Sequence, residues 1–131
     1  MIIDSHTLVW WLESSEEISE FARHVLDHAD DRDELHRVCA VTFWEIGLKV
    51  RRGQITTKFP VDQWLVMLGE LQWMTIEETT AEVWLKTAEM EWSHRDPADR
   101  IIAATALIHG EAVLTKDRRF HTADSPVKAV W

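Results

Sequence analysis

The sequence predicts an α/β fold in which helices flank a central, mostly parallel sheet. Short apolar segments of strand length alternate along the chain with longer segments whose apolar residues recur at helical spacing. Parallel neighbouring strands need crossover connections, which helices between them supply. The 131 residues are 46% hydrophobic and 28% charged, as in a globular protein with a buried core. We therefore expect one domain over residues 1–131.

Strands and helices can be assigned from length and periodicity. The predicted strands are MIID at the N-terminus, residues 34–41, 73–76 and 111–115, and, as a possible fifth, VKAV near the C-terminus. The predicted helices cover residues 17–28, 43–52, 61–71, 79–92 and 97–109. The acidic run DHADDRDE, 27–34, is typical of a solvated connection.

Composition narrows the class of protein. No apolar run approaches the roughly 18 residues of a membrane span, and MIIDSHTLVWWLESS lacks the basic start of a secretion signal, so we expect a cytoplasmic protein without membrane contact. A net charge of −9 argues against a surface that binds nucleic acid all over, although a local basic rim is compatible with it. The eight scattered tryptophans favour core or interface positions over a base-stacking platform. Cys39, the only cysteine, is expected to pack in a strand.

The stretch HRDPADRIIAATA, 94–106, places two aspartates at the start of a predicted helix. Asp96 precedes a proline and therefore has the sequence context of an N-cap. Asp99, at the third helical position, is favoured by the positive end of the helix dipole. These roles explain both residues without any ligand, and a metal site is the alternative.

Glu45 also has two interpretations. The residues Thr42-Phe43-Trp44-Glu45 match a capping box, in which threonine and glutamate each bond the other's backbone amide at a helix start. The alternative is that Glu45 belongs to a functional site near the start of that helix.

Acids converge at one edge of the predicted sheet. Asp4 ends the first strand, Glu45 lies in the first turn after the second, and Asp117 follows the strand AVLT. Ligands of open α/β sheets bind at the carboxyl ends of the strands, and Asp99 joins this set if its helix starts at the same edge. Close carboxylates destabilise a folded chain unless a cation neutralises them. Since no Cys/His cluster accompanies them, Mg²⁺ is favoured, with Mn²⁺ as an alternative and zinc disfavoured.

Four stretches in order resemble a known family across nearly the whole chain. They are DSHTLVWWL, VTFWEIGLKVRRGQI, HRDPADRIIAATAL, and AVLTKDRRF followed by PVKAVW. Together they resemble the PIN-domain ribonucleases of the VapC type, the toxins of type II toxin–antitoxin pairs. Departures from the family pattern are modest: Ser5 replaces a frequent threonine, Cys39 a small hydroxyl residue, and Ala98 a phenylalanine.

The resemblance implies a site and an activity. Its four acids match Asp4, Glu45, Asp99 and Asp117, whereas Asp96 matches a position better interpreted as the helix cap. It implies a PIN-like three-layer sandwich, a homodimer, and a metal-dependent endoribonuclease inhibited by a cognate antitoxin. Asp4 and Asp99 are the expected metal ligands, with Glu45 and Asp117 completing the pocket. Expected RNA contacts come from Ser5, Lys49, Arg95 and Lys116.

Two other functions are compatible with part of this sequence pattern. A phosphatase of the haloacid dehalogenase type also begins with a strand ending in Asp, but its second Asp would stand where this chain has His6. A non-catalytic PIN-like RNA-binding module remains the alternative, and RNA cleavage with and without metal distinguishes it. An acidic pocket in a protein of net charge −9 also indicates that the antitoxin presents a basic segment.

Overall fold

A five-stranded sheet runs through the centre of the computed structural model, which describes residues 1–131. Its strands are β1 (Ile2–Ile3), β2 (His36–Cys39), β3 (Met74–Glu77), β4 (Val113–Leu114) and β5 (Ala129–Val130). They lie in the order β3-β2-β1-β4-β5, and every neighbouring pair is parallel. The predicted α/β fold and its fifth strand are therefore confirmed.

Six α-helices connect and cover the strands. They are α1 (Ser5–Leu12), α2 (Glu20–Asp27), α3 (Ala40–Arg51), α4 (Val61–Gly69), α5 (Ala81–Glu89) and α6 (Pro97–His109). Short 3-10 helices occupy Asp30–Arg32 and Arg118–His121. None of the helices is both long enough and apolar enough to cross a membrane.

The sheet separates two apolar layers, as the predicted three-layer sandwich requires. Adjacent strand residues face opposite sides: Ile3 packs among side chains of α1 to α4, whereas Ile2 packs against α6. Ile101 and Ala104 of α6 extend the second layer to Val83 of α5. This packing fixes the helix starts relative to the strand ends, which is where the candidate site lies.

Helix α1 was not predicted. Asp4 caps it, because its carboxylate accepts a hydrogen bond from the Ser5 backbone N–H. Leu8 is buried, but so are the polar residues Ser5 and Thr7, so the helix lacks a clean apolar stripe. Only Asp4 separates it from β1, which hides the boundary in the sequence.

The predicted start of α3 was wrong by three residues, and so was the capping box. The helix begins at Ala40, with Cys39 as an N-cap that makes no side-chain bond to the helix. Thr42 is buried inside the first turn and its Oγ1 accepts a hydrogen bond from Ser5 Oγ at 3.1 Å. Glu45 consequently lies in the second turn, not the first, and has no capping role.

Helix α6 starts as the sequence predicts. Asp96 is the N-cap and accepts hydrogen bonds from the backbone N–H groups of Ala98 and Asp99. Pro97 is the first helical residue, so Asp99 occupies the third position. Gly110 ends the helix in the left-handed region at φ 64°.

Candidate active site

The carboxyl edge of the sheet gathers the predicted acids. Asp4 follows β1 directly, and Asp117 lies three residues beyond β4, which is the neighbour of β1. Helix α3 starts immediately after β2 at the same edge. Since all strands are parallel, their carboxyl ends share this edge, as expected for a ligand site in an α/β sheet.

Asp4 is a buried carboxylate held by three neighbours. Its side chain accepts hydrogen bonds from the Ser5 backbone N–H at 2.8 Å and from Thr115 Oγ1 at 3.0 Å. His6 Nδ1 lies 3.8 Å from Asp4 Oδ2. The interaction with the Asp4 carboxylate raises the pKa of His6 above its usual value, although partial burial of the ring opposes the shift.

Asp99 is also buried, and groups of both charge signs lie around its carboxylate. Its Oδ2 atom is 2.5 Å from His94 Nε2 and 3.6 Å from Arg119 Nη2. Burial raises the pKa of Asp99 to about 6; the negative charges of Asp4 and Asp96 add to this effect, whereas His94 and Arg119 oppose it. The influence of Asp4 on Asp99 places the two carboxylates in one electrostatic environment.

Asp117 is paired with a guanidinium group. Arg119 Nε lies 3.0 Å from each carboxylate oxygen of Asp117, and Nη2 makes a further hydrogen bond. These bonds lower the pKa of Asp117 below its usual value. The backbone N–H of Asp117 donates to Thr115 Oγ1, so Thr115 contacts both Asp117 and Asp4.

Glu45 approaches the site through a lysine. Lys49 Nζ lies 2.7 Å from Glu45 Oε1, one helical turn away, and 3.0 Å from His6 Nε2. Because His6 in turn contacts Asp4, the Glu45 side chain is connected to the buried carboxylate at the end of β1. The structure thus brings Glu45 to the other acids without a direct contact.

The four predicted acids therefore belong to one continuous set of contacts. In order, the set runs Glu45, Lys49, His6, Asp4, Thr115, Asp117, Arg119, Asp99 and His94. We call it the acid network. Sequence analysis missed the roles of His6, His94, Thr115 and Arg119. All four residues lie within stretches that resemble the family, but contacts such as Thr115 with Asp4 and His6 with Lys49 join residues far apart in the chain.

The donor set of the acid network fits a hard divalent cation. No three His, Cys, Asp or Glu side chains form a ready-made cage for an ion. Magnesium, however, usually binds one or two carboxylates and keeps several waters. Asp4 and Asp99 supply two buried carboxylates whose mutual repulsion a cation would relieve.

The predicted substrate residues lie in different environments. Ser5 is buried, and its hydroxyl donates to Thr42. Lys49 is bound within the acid network, whereas Arg95 is exposed. Lys116 Nζ pairs with Glu17 at 2.9 Å and lies over the ring of Trp10, 5.4 Å from its centroid.

An open cleft of about 410 Å³ borders the acids. Asp4 and Asp117 form part of its wall, and the other lining residues are His6, Trp10, Lys116 and Arg118. The cleft gives a ligand access to two members of the acid network.

A comparison with known families identifies the family of this domain. The PIN domain model matches residues 1–126. The chain belongs to the PIN domain family. This PIN domain is 33% identical to Ribonuclease VapC22 of Mycobacterium tuberculosis over 133 residues, which cover 100% of the chain and 98% of that relative. The resemblance drawn from the four sequence stretches is therefore confirmed.

Solved structures share the fold of this PIN domain. VapBC2 from Rickettsia felis, bound to a DNA fragment from its promoter, matches with a TM-score of 0.67 at 12% identity, covering 98% of this chain and 96% of that one. FitAcB from Neisseria gonorrhoeae matches with a TM-score of 0.66 at 19% identity, covering 99% and 96%. A toxin–antitoxin complex from Klebsiella pneumoniae matches with a TM-score of 0.64 at 18% identity, covering 99% and 95%. At these identities the likeness concerns the fold.

Proposed function

We propose that this PIN domain is a metal-dependent endoribonuclease that hydrolyses RNA phosphodiester bonds and acts as the toxin of a toxin–antitoxin pair. The observation that carries the proposal is the acid network: all four family acids meet at one edge of the sheet, in a chain 33% identical over its full length to a ribonuclease.

Each acid has a distinct part in the proposal. Asp4 and Asp99 hold Mg²⁺, or Mn²⁺ in its place, because they are the two buried carboxylates of the network. Such a cation, when bound, lowers the pKa of water and stabilises negative charge on a phosphate. Glu45 and Asp117 are more accessible, and their oxygens can accept hydrogen bonds from water near the scissile phosphate. Thr115 keeps Asp4 and Asp117 in fixed relative positions.

The RNA backbone meets cations around the acids. Lys49, Arg95 and Lys116 are the proposed phosphate contacts, since a local positive rim attracts RNA despite the net charge of −9. Ser5 is a further proposed RNA contact at the same edge, and its backbone N–H donates a hydrogen bond to the Asp4 carboxylate.

Partners form the second part of the proposal. The similar solved structures include toxin–antitoxin complexes, and the acid network attracts positive charge. We therefore assign this chain a cognate antitoxin whose basic segment covers the acids, and a homodimeric state. Sedimentation of the pure protein tests the dimer. A complex with the antitoxin should weaken at high salt if charge attraction holds it.

Cleavage of RNA by the pure protein tests the activity. We expect cleavage with Mg²⁺ or Mn²⁺ and none with a chelator. Asp4→Asn, Asp99→Asn and Glu45→Gln should each reduce the rate on the order of 10²-fold, because misplacing reacting groups costs about this much. Glu89→Gln, at an exposed acid of α5, is the matched control and should keep full activity.

Thermal unfolding gives a reading that does not depend on activity. A ligand that binds only the folded state adds about 2.7 kcal/mol at a hundredfold excess over Kd. Mn²⁺ should therefore raise the Tm of the wild type and not that of Asp4→Asn. Cleavage that persists in chelator would contradict the metal mechanism, and RNA binding without cleavage in any metal would favour the non-catalytic RNA-binding module.

A further inference from the structure

The cleft beside Asp4 and Asp117 also has an aromatic residue in its wall. That residue is Trp10 of α1, and the cations Lys116 and Arg118 line the same cleft. The volume of about 410 Å³ lies within the usual range of small-ligand sites, roughly 300–1,000 Å³. An aromatic surface, cations and an acidic reaction centre thus share one opening.

Trp10 is held in place before any ligand arrives. Its indole packs against the apolar core on the α1 side of the sheet and meets the Trp131 ring edge to face, with centroids 5.6 Å apart. The His6 ring lies 5.8 Å away on the preceding turn of α1. A ring fixed in this way loses little conformational freedom on binding, which favours stacking of a flat ligand.

A half-exposed lysine lies over the indole of Trp10. Lys116 Nζ lies over the ring, and its side chain is half exposed and pairs with the exposed Glu17. A lysine on a flexible stem can move from the ring to a phosphate, and a planar group can then stack on the indole. Single-stranded nucleic acids are bound by this combination of aromatic faces and nearby cations.

We propose that this cleft is a nucleobase subsite, in which Trp10 stacks the base of a nucleotide next to the scissile phosphate while Lys116 and Arg118 contact its phosphates. The inference rests on the proposed function and adds to it a position where bases are held. It also departs from the sequence-based expectation that the tryptophans are core or interface anchors, because Trp10 lies directly beside Asp4 in the cleft wall.

Binding of short RNA in the absence of metal tests the subsite. Fluorescence anisotropy with 12-nucleotide RNAs in EDTA measures affinity without cleavage. Trp10→Ala should weaken binding about tenfold, since stacking on an aromatic side chain is worth about 1–3 kcal/mol per base. Trp10→Phe should keep most of the affinity. Phe59→Ala is the control, because Phe59 is an exposed aromatic residue (48%) that does not line the cleft.

A ligand without bases separates stacking from charge attraction. A ribose-phosphate oligomer of the same length should bind wild type and Trp10→Ala equally, because it offers phosphates and nothing to stack. An equal loss for this oligomer and for RNA would overturn the inference and assign Trp10 a purely structural role. Binding of an oligoarginine peptide that depends on Trp10, with RNA binding independent of it, would overturn it in favour of a protein ligand.

Photocrosslinking gives a test on the unaltered protein, in case Trp10→Ala folds poorly. RNA carrying 5-iodouridine should crosslink to the peptide that contains Trp10 and His6, as mapped by mass spectrometry. Crosslinks confined to other peptides would overturn the inference. If the wild type neither binds nor cuts RNA, the proposed function fails; if it cuts RNA but Trp10 neither crosslinks nor affects affinity, only the subsite fails.

Discussion

Arg119 is the residue on which the charge balance of the acid network depends most. Its guanidinium bonds both oxygens of Asp117 and lies 3.6 Å from Asp99, so it neutralises two of the four acids at once. A divalent cation bound at Asp99, as proposed above, would interact with the same negative charge. Arg119 would therefore compete with that cation for the charge of Asp99 and Asp117.

We predict that Arg119→Gln binds Mn²⁺ roughly fivefold more tightly than wild type, since a unit charge a few ångströms away in a largely solvated site is worth about 1 kcal/mol. Titration calorimetry measures the change directly. Arg118→Gln, one residue earlier in the same 3-10 helix, is the control and should change the affinity less, because Arg118 forms no ion pair within the network. Weaker Mn²⁺ binding in Arg119→Gln would mean that the arginine builds the site.

Among the helices and strands, those whose ends carry capping or loop residues could be predicted from the sequence. The start of α6 was predictable because Asp96 and Pro97 are adjacent, and Gly110 marks its end. The start of α3 and all of α1 were not predictable, because α3 follows β2 directly and a single residue, Asp4, separates α1 from β1. The strands were found by their apolar runs, although the structure makes most of them shorter.

In the candidate site, too, only the features with a local sequence signal could be predicted. The four acids lie in motifs that can be recognised in the sequence. Their connections cannot, because contacts such as Thr115 to Asp4 or Lys49 to His6 join segments that only the folded sheet brings together.

Substituting alanine for two glycines should change the free energy of unfolding in opposite directions. Gly47 lies inside α3, and a Cβ added there meets no atom within 4 Å, so Gly47→Ala should stabilise the fold by about 0.5–1 kcal/mol. Gly110 has φ 64°, where an L side chain is strained, so Gly110→Ala should destabilise it by about 1 kcal/mol. Urea unfolding measures both. Loss of stability in Gly47→Ala would contradict the open space beside this position.

At the scale of the whole molecule, one buried histidine makes stability depend on pH. His36 of β2 is almost fully buried, its Nε2 has no hydrogen-bond partner, and Nδ1 lies 3.3 Å from the N-terminal amine. Burial, reinforced by that amine, lowers the pKa of His36 below its usual 6.5, although the negative charges of Glu34 and Glu111 oppose the shift.

Because its pKa is lowered in the fold, His36 binds a proton less readily in the folded chain than in the unfolded chain. Folding stability is therefore present above the ordinary pKa of about 6.5 and is lost as the pH falls below it. We predict that wild type loses up to about 1.4 kcal/mol more than His36→Gln between pH 7.5 and 5.5, as measured by urea unfolding. Other groups titrate in both proteins, so the difference isolates His36. Parallel pH profiles would show that His36 is protonated in the fold.

The place of β1 in the sheet has a consequence for the timing of synthesis. Among these strands β1 is synthesised first, yet it lies in the middle of the sheet and pairs with β4, whose residues are made more than a hundred positions later. The contacts of Asp4 and Asp117 with Thr115 therefore form only after residues 113–117 have been synthesised. Until those residues emerge from the ribosome, the nascent chain lacks a complete acid network.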